Sequence, residues 1–326
     1  MRRGSPNGKT WGVASIATNT ADHERLAEGV DLEALDAEIE SAIRAGDAAA
    51  MRVLGYGEFT LVLGWPTARP EVAVKRLPAF RDADQLSRYG ETLRRYVDAL
   101  ESRGVAVVPT ELRATEARSE YHAYLIQPLV PRDDLLNRVL RTAEPDRGRE
   151  LLSMLAGHVA ATVDRSLGLD AQAGNWMVTG DGLVILDVST PLMRSPQGRD
   201  ELDLGLFESI YPPAVRRLLR RVAPSVMSQY HDPRTVLVDV GSNLIKERLG
   251  QWLPALCDAA NEHVSPPVTE ASLRRYFARD KQFWLAMQRL RRADRAWQRR
   301  VRRRPYPFLL PPPYAYGPPE LPEEES

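Results

Sequence analysis

Hydrophobic positions keep a helical period in some segments of this chain and a strand period in others, and the switches between the two mark its elements. Leu32, Leu35, Ile39 and Ile43 recur at three-to-four spacing, with Asp31 placed to cap and Gly46 to stop a short amphipathic helix. The pattern then changes. MRVLGYGEFTLVLGW (51–65) and EVAVKRLP (71–78) read as three antiparallel strands, broken by Gly55, Gly57 and the loop PTARP. Over 82–104 the helical stripe returns as Leu86, Tyr89, Leu93, Tyr96, Val97 and Leu100, ended by Gly104. VVPTELRATEA and EYHAYLIQPLV supply two further strands.

Downstream the pattern predicts a helix at 132–142, a longer one over 147–168, a strand pair at NWMV and LVILDV, and mostly helices to about 304. Strands with one inserted helix come first and helices afterwards, so the expected class is α+β with two lobes. Residues 1–29 lack periodicity and read as a disordered arm, 30–129 as a strand-rich first lobe, and 130–304 as a helical second lobe. Residues 305–326, PYPFLLPPPYAYGPPELPEEES, form a proline-rich tail with an acidic end.

Composition narrows the function classes. With 44 Lys+Arg against 44 Asp+Glu there is no net field to favour nucleic acid or an acidic substrate. The single cysteine, Cys257, excludes an internal disulfide, and no run of about 18 apolar residues is present to span a membrane, so a cytoplasmic protein is expected. The five histidines, His23, His122, His158, His231 and His263, show no metal-ligand spacing. Charge is uneven locally. Acids crowd residues 22–47, whereas Arg274–Arg304 is arginine-rich with only Asp280 and Asp294 opposing. Leu273, Phe277, Trp284, Met287, Leu290 and Trp297 fall near one face of that segment, which predicts a helix packed on the second lobe with a cationic outer face able to meet an anionic surface.

Candidate chemistry concentrates in LGLDAQAGNWMVTGDGLVILDVSTP (167–191). Asp170 and Asn175 lie in a loop before one strand, and Asp187 ends the strand that pairs with it, so the hairpin gathers hard oxygen donors of the kind Mg²⁺ takes. Upstream, Lys75 stands in an apolar strand frame of Val72, Val74 and Leu77, and GYGEFT forms a turn whose glycines let backbone N–H groups approach phosphate.

This order, GYGEFT, VAVK, IQPLV, D-x-x-x-x-N and LDVS, resembles the protein kinase-like superfamily, and most closely its small-molecule branch of aminoglycoside and choline phosphotransferases. The resemblance spans residues 50–190 and implies ATP and Mg²⁺ bound between two lobes. It implies Lys75 on the nucleotide phosphates, Gly55 and Gly57 in the phosphate-covering turn, and Asp170 orienting the acceptor hydroxyl. It further implies Asn175 and Asp187 on the metal, and the backbone of Gln127, Pro128 and Leu129 as the adenine-binding linker between lobes. Gln172 stands where many protein kinases carry a lysine near the transferred phosphate.

The departures are specific. Gly168 and Leu169 replace the usual His or Arg ahead of Asp170, Thr60 replaces the third glycine, and the metal motif is DVS rather than DFG. Glu91 has the sequence distance of the family's lysine-pairing glutamate, but at about 100° per residue it projects opposite Leu86, Leu93 and Val97. Asp82, Asp84 and Gln85 therefore remain as alternative partners for Lys75. The expected function is phosphoryl transfer to a small-molecule hydroxyl, with a nucleotide-binding pseudokinase as the alternative and AMP transfer as a third.

Overall fold

The computed structural model describes residues 26, 29–46, 51–56, 61–117, 120–208, 226–301 and 303. Nearly all of the expected arm, all of the proline-rich tail, and Gly57 with Thr60 lie outside the described residues. Helix α1 (Leu32–Ala45) begins at Asp31, whose side chain accepts from the N–H groups of Glu33 and Ala34, and stops at Gly46 in the left-handed conformation. Strands β1 (Val53–Tyr56), β2 (Leu61–Trp65) and β3 (Val72–Arg76) follow as the expected meander. Helix α2 (Ala83–Ser102), the two-residue β4 (Ala106–Val107), and β5 (Glu111–Ala117) and β6 (Glu120–Pro128) come next. The five longer strands form one antiparallel sheet in the order β1-β2-β3-β6-β5.

Alternation along the strands decides what each face of this sheet buries. Val72 and Val74 of β3, with Tyr124 and Ile126 of β6, join Leu35, Ile39 and Ile43 of α1 in one apolar cluster. The opposite face sends Ala123 and Leu125 into a larger cluster with Leu86, Leu93 and Val97 of α2. Lys75 pairs in register with Leu125, so it emerges on the α2 face and not under α1.

Helices α3 (Leu136–Thr142) and α4 (Pro145–Thr162) precede the hairpin of β7 (Trp176–Thr179) and β8 (Gly182–Ile185). Helix α4 ends six residues before the predicted stop. Asp164 there accepts from the N–H groups of Ser166 and Leu167 at 2.7 and 2.9 Å, which turns the chain out of the helix. Strand β4 lies parallel to β8, making a small sheet β4-β8-β7. Helices α5 (Leu204–Glu208), α6 (Pro233–Lys246), α7 (Leu253–Asn261) and α8 (Glu270–Arg300) complete the described elements.

The fold is therefore α+β, as the periodicities predict. The larger core does not respect a boundary at residue 129: it runs from Leu77 and Phe80 through α2 to Leu244 and Leu273. Helix α2 is bonded throughout its length to residues beyond that point. Gln85 donates to Asp203 at 2.7 Å, Tyr89 to the Ser189 carbonyl at 2.8 Å, and Tyr96 to the Gly168 carbonyl at 3.1 Å. Arg95 pairs with Glu201 at 2.6 Å, and just past the helix Arg103 pairs with Asp164 at 2.8 Å. No helix among the described residues is long and apolar enough to cross a membrane.

Candidate functional site

Two segments far apart in sequence meet at one ion pair. Lys75 Nζ lies 2.6 Å from Asp187 Oδ2 and donates to Ser189 Oγ at 2.7 Å. Lys75 reaches inward because of its strand parity. Asp187 is delivered by β8, although the strand closes at Ile185, so Asp187 stands on the loop beyond it and does not end the strand as the sequence pattern predicted. That loop is tied down on its other side. Asp187 Oδ1 accepts from both the N–H and the hydroxyl of Ser189, at 3.0 and 2.7 Å.

Ser189 is thus a bridge: its hydroxyl accepts from the ammonium and donates to the carboxylate. Burial opposes ionisation of Asp187, but the charge and hydrogen bond of Lys75 and the two Ser189 donors outweigh it and hold the carboxyl below its usual range. Asp187 is consequently an anion at neutral pH. The side chains are 17% and 33% exposed for Lys75 and Asp187, which leaves the carboxylate the more accessible of the two.

Glu91 is exposed, as its helical phase predicts, and the alternatives at the helix start are also excluded as partners of Lys75. Asp82 is the N-cap of α2, Asp84 faces solvent, and Gln85 bonds Asp203. The α2 side chain that enters the site is Tyr89, buried, holding the Ser189 carbonyl; burial, with Asp187 nearby, drives its phenol well above the usual range. Tyr89 belongs to the apolar stripe, and its hydroxyl was the only sign of a second role.

Asp170 and Asn175 share one short loop. Asn175 Nδ2 donates to the Asp170 carbonyl at 3.2 Å, and the Asn175 carbonyl accepts from Leu186 N–H at 2.8 Å, which fastens this loop to the one carrying Asp187. Asp170 and Asp187 both act electrostatically on the buried Tyr96 hydroxyl, whose phenol is raised chiefly by burial. Trp176, wholly buried, closes the loop by donating to the Ala171 carbonyl at 3.3 Å and stacks on His158 with ring centres 5.6 Å apart.

The absence of a side chain at residue 168 has a steric cause. A Cβ there would lie 2.8 Å from the Tyr230 carbonyl oxygen and 3.1 Å from His231 Cε1. Backbone from the distal helices passes over this position, and Leu169 N–H donates to the same Tyr230 carbonyl at 3.1 Å. A His or Arg at this place would displace main chain.

Two predicted nucleotide-contacting residues have other duties. Gln127 and Pro128 remain in β6, paired with Ala73 and Val72, so the stretch between lobes starts at Leu129, which is 37% exposed. The Gln127 side chain donates to Thr110 Oγ1 at 2.8 Å and to the Leu186 carbonyl at 2.7 Å, clamping the loop next to Asp187. Gln172 turns toward α6, where its amide meets Asp239 at 3.4 Å and Asn243 at 3.3 Å. Asn243 also accepts from Ala173 N–H at 3.2 Å, making α6 the support of the Asp170 loop. Nothing in the sequence marks Asp239 or Asn243, because their role depends on how α6 packs. Gly55 lies in β1 opposite Val62, with room for a Cβ at 3.8 Å, so space does not require glycine there. Gly57 lies outside the described residues.

Asn175, Asp187 and Asp170 are all oxygen donors, with no thiol or imidazole among them, a set suited to Mg²⁺ in chemistry and charge. A second polar cluster sits under α1, where ligand atoms of Asp36, Glu40 and His122 lie within 4.8 Å of one another. Arg76 pairs with Glu40 at 2.7 Å, His122 Nδ1 meets Asp36 at 2.7 Å, and Tyr124 donates to the same carboxylate, so these ligand atoms are already engaged by protein groups.

A family model matches residues 34–295, a span that runs from α1 into α8 and includes each of the site residues above. The chain belongs to the family of unknown function DUF6206. No curated protein matches this DUF6206 chain. In DUF6206 terms, the site lies wholly inside the family's matched span, whereas the arm and the tail lie outside it.

Proposed function

We propose that this protein is an ATP- and Mg²⁺-dependent phosphotransferase of protein kinase-like architecture that acts on a small-molecule hydroxyl. The observation that carries the reading is the Lys75–Asp187 pair at 2.6 Å, joining the α2 face of the first sheet to the loop that follows the β7–β8 hairpin. A strand lysine and a loop carboxylate held together in this way are a cation for phosphate oxygens beside an anion for a metal. Asp187 and Asn175 would hold Mg²⁺, which supplies charge neutralisation at phosphate oxygens.

The chain's own groups do the rest in this reading. Lys75 exchanges its contact with Asp187 for phosphate oxygens, and Ser189 keeps Asp187 Oδ1 oriented by its two donors. Asp170 accepts the proton of the acceptor hydroxyl. The short polar run after Asp187, STPLMRSPQGRDEL, offers no long segment for a peptide acceptor, which favours a small one.

Thermal unfolding with Mg-ATP, paired with ATP labelled separately at the α- and γ-phosphates, tests this. The wild-type protein is stabilised and consumes ATP with release or transfer of the γ label; Lys75→Met and Asp187→Asn lose the stabilisation, and Asp170→Ala keeps it while losing turnover. Absence of stabilisation by Mg-ATP sinks the reading. One observation favours the second reading, a pseudokinase: with Glu91 exposed, the acid that holds Lys75 is Asp187 itself. Stabilisation without ATP consumption selects that alternative, and transfer of the α label selects AMP transfer.

A further inference from the structure

The last turns of α8 are amphipathic in the wrong sense for a helix that only packs on its own domain. Residues turned toward the protein are polar among those described: Arg291 is buried and Arg295 donates to the Gly46 carbonyl. Residues turned away are apolar. Leu290, Trp297 and Val301 are 36%, 56% and 55% exposed, and Ala286 and Ala293 on the same face are exposed too. The sequence pattern places Leu290 and Trp297 on an inward face with Leu273; of these three, Leu273 is buried and the other two are exposed. The difference arises because the inward side of these turns is occupied by hydrogen bonds from Arg295 to α1's end and by Arg291.

At about 100° per residue, Ala286, Leu290, Ala293, Trp297 and Val301 fall within an arc of about 80°. The exposed Arg289 and Arg300 lie along one edge of that arc, and the exposed Arg303 follows the helix. Half-buried Asp294, engaged by Gln298, lies at the other edge. An apolar strip containing a tryptophan and edged on one side by arginines matches the interfacial region of a bilayer, where the strip enters the acyl boundary and the cations stay at phosphate level. A second copy of the same face is a poor occupant, since pairing would set Arg289 and Arg300 against their equivalents. RNA would use the arginines but leave the aliphatic strip unmatched.

We propose that the C-terminal half of α8 docks this protein on an anionic membrane surface. The association is independent of the phosphotransfer reading. Its test is co-sedimentation of the full chain with phosphatidylcholine vesicles, with and without about one third phosphatidylglycerol. The expected result is sedimentation only with the anionic vesicles, weakening with added salt, and abolished in Leu290→Glu/Trp297→Glu. Arg289→Glu/Arg300→Glu, which leaves the apolar strip intact, should weaken partitioning by about tenfold or more. Both pairs face outward, so unfolding midpoints should match wild type. No sedimentation, or sedimentation unchanged in both double variants, overturns the proposal. So does a dimer in sedimentation velocity, or binding to a polyuridine probe, that the variants remove while vesicles never bind.

Discussion

Replacing Lys75 by Met keeps the aliphatic stem but removes the ammonium that faces Asp187. Exposed ion pairs contribute about 0.2–1 kcal/mol, and breaking a fully buried pair by removing one partner costs about 3–5 kcal/mol. At 17% and 33% exposure this pair lies between the two, so the expected loss is about 2 kcal/mol at neutral pH. The cost arises chiefly from leaving Asp187 charged with only the two Ser189 donors. The sign with pH follows. The Asp187 carboxyl is depressed in the folded protein relative to 3.8, so its contribution is present above that value and is lost as pH falls through the folded pKa. Urea unfolding of wild type and Lys75→Met should therefore differ most at neutral pH and converge in acid. Adding Asp187→Asn should recover part of the loss, with a coupling of about 1–2 kcal/mol in the double-mutant cycle. Equal stability of wild type and Lys75→Met at neutral pH, or zero coupling in the cycle, would refute the reasoning.

Gly148→Ala places a Cβ about 2.0 Å from the Trp252 ring, so α4 and the turn that carries this indole, just ahead of α7, must move apart; a loss of about 1–3 kcal/mol in urea unfolding is expected. Tyr89→Phe leaves the buried Ser189 carbonyl without its 2.8 Å donor and should cost about 1–2 kcal/mol by the same measurement, with the secondary structure unchanged by circular dichroism. Asp164→Asn should lower the urea midpoint at neutral pH. The Asp164 carboxyl is depressed to about 2 by Ser166, Leu167 and Arg103 against the opposing effect of burial, so the difference should fade as pH falls from 3.8 toward that value. Asn243→Ala removes the acceptor for Ala173 N–H at 3.2 Å; if the phosphotransfer reading holds, turnover falls about tenfold to a hundredfold while Mg-ATP still stabilises the fold.

Elements with a strong period were legible in the sequence, because their burial depends on neighbours along the same helix or strand. The α1 stripe of Leu35, Ile39 and Ile43 and the α2 stripe through Leu100 are buried as their spacing predicts. Lys75, Asp170, Asn175 and Asp187 were legible too, since each lies in a short segment whose strand or turn signal is local. What escaped depends on long-range contact. Sequence distance and helical phase point to α2 for the partner of Lys75, whereas the loop after β8 supplies it, 112 residues away. Ser189, Asn243 and the Gln127 clamp carry no local signature, and the outward turn of Leu290 and Trp297 depends on where Arg295 finds its acceptor.

The bonds from α2 to Asp203, Ser189, Glu201 and Gly168 make that helix, mechanically, a component of the second lobe, although it lies between strands of the first. Among the described residues, the sheet is joined to the same neighbourhood by fewer polar ties, the Lys75–Asp187 ion pair and the Gln127–Leu186 hydrogen bond. Any displacement of the sheet relative to α2 would have to break both of them and uncover Ala123 and Leu125 where they pack on that helix.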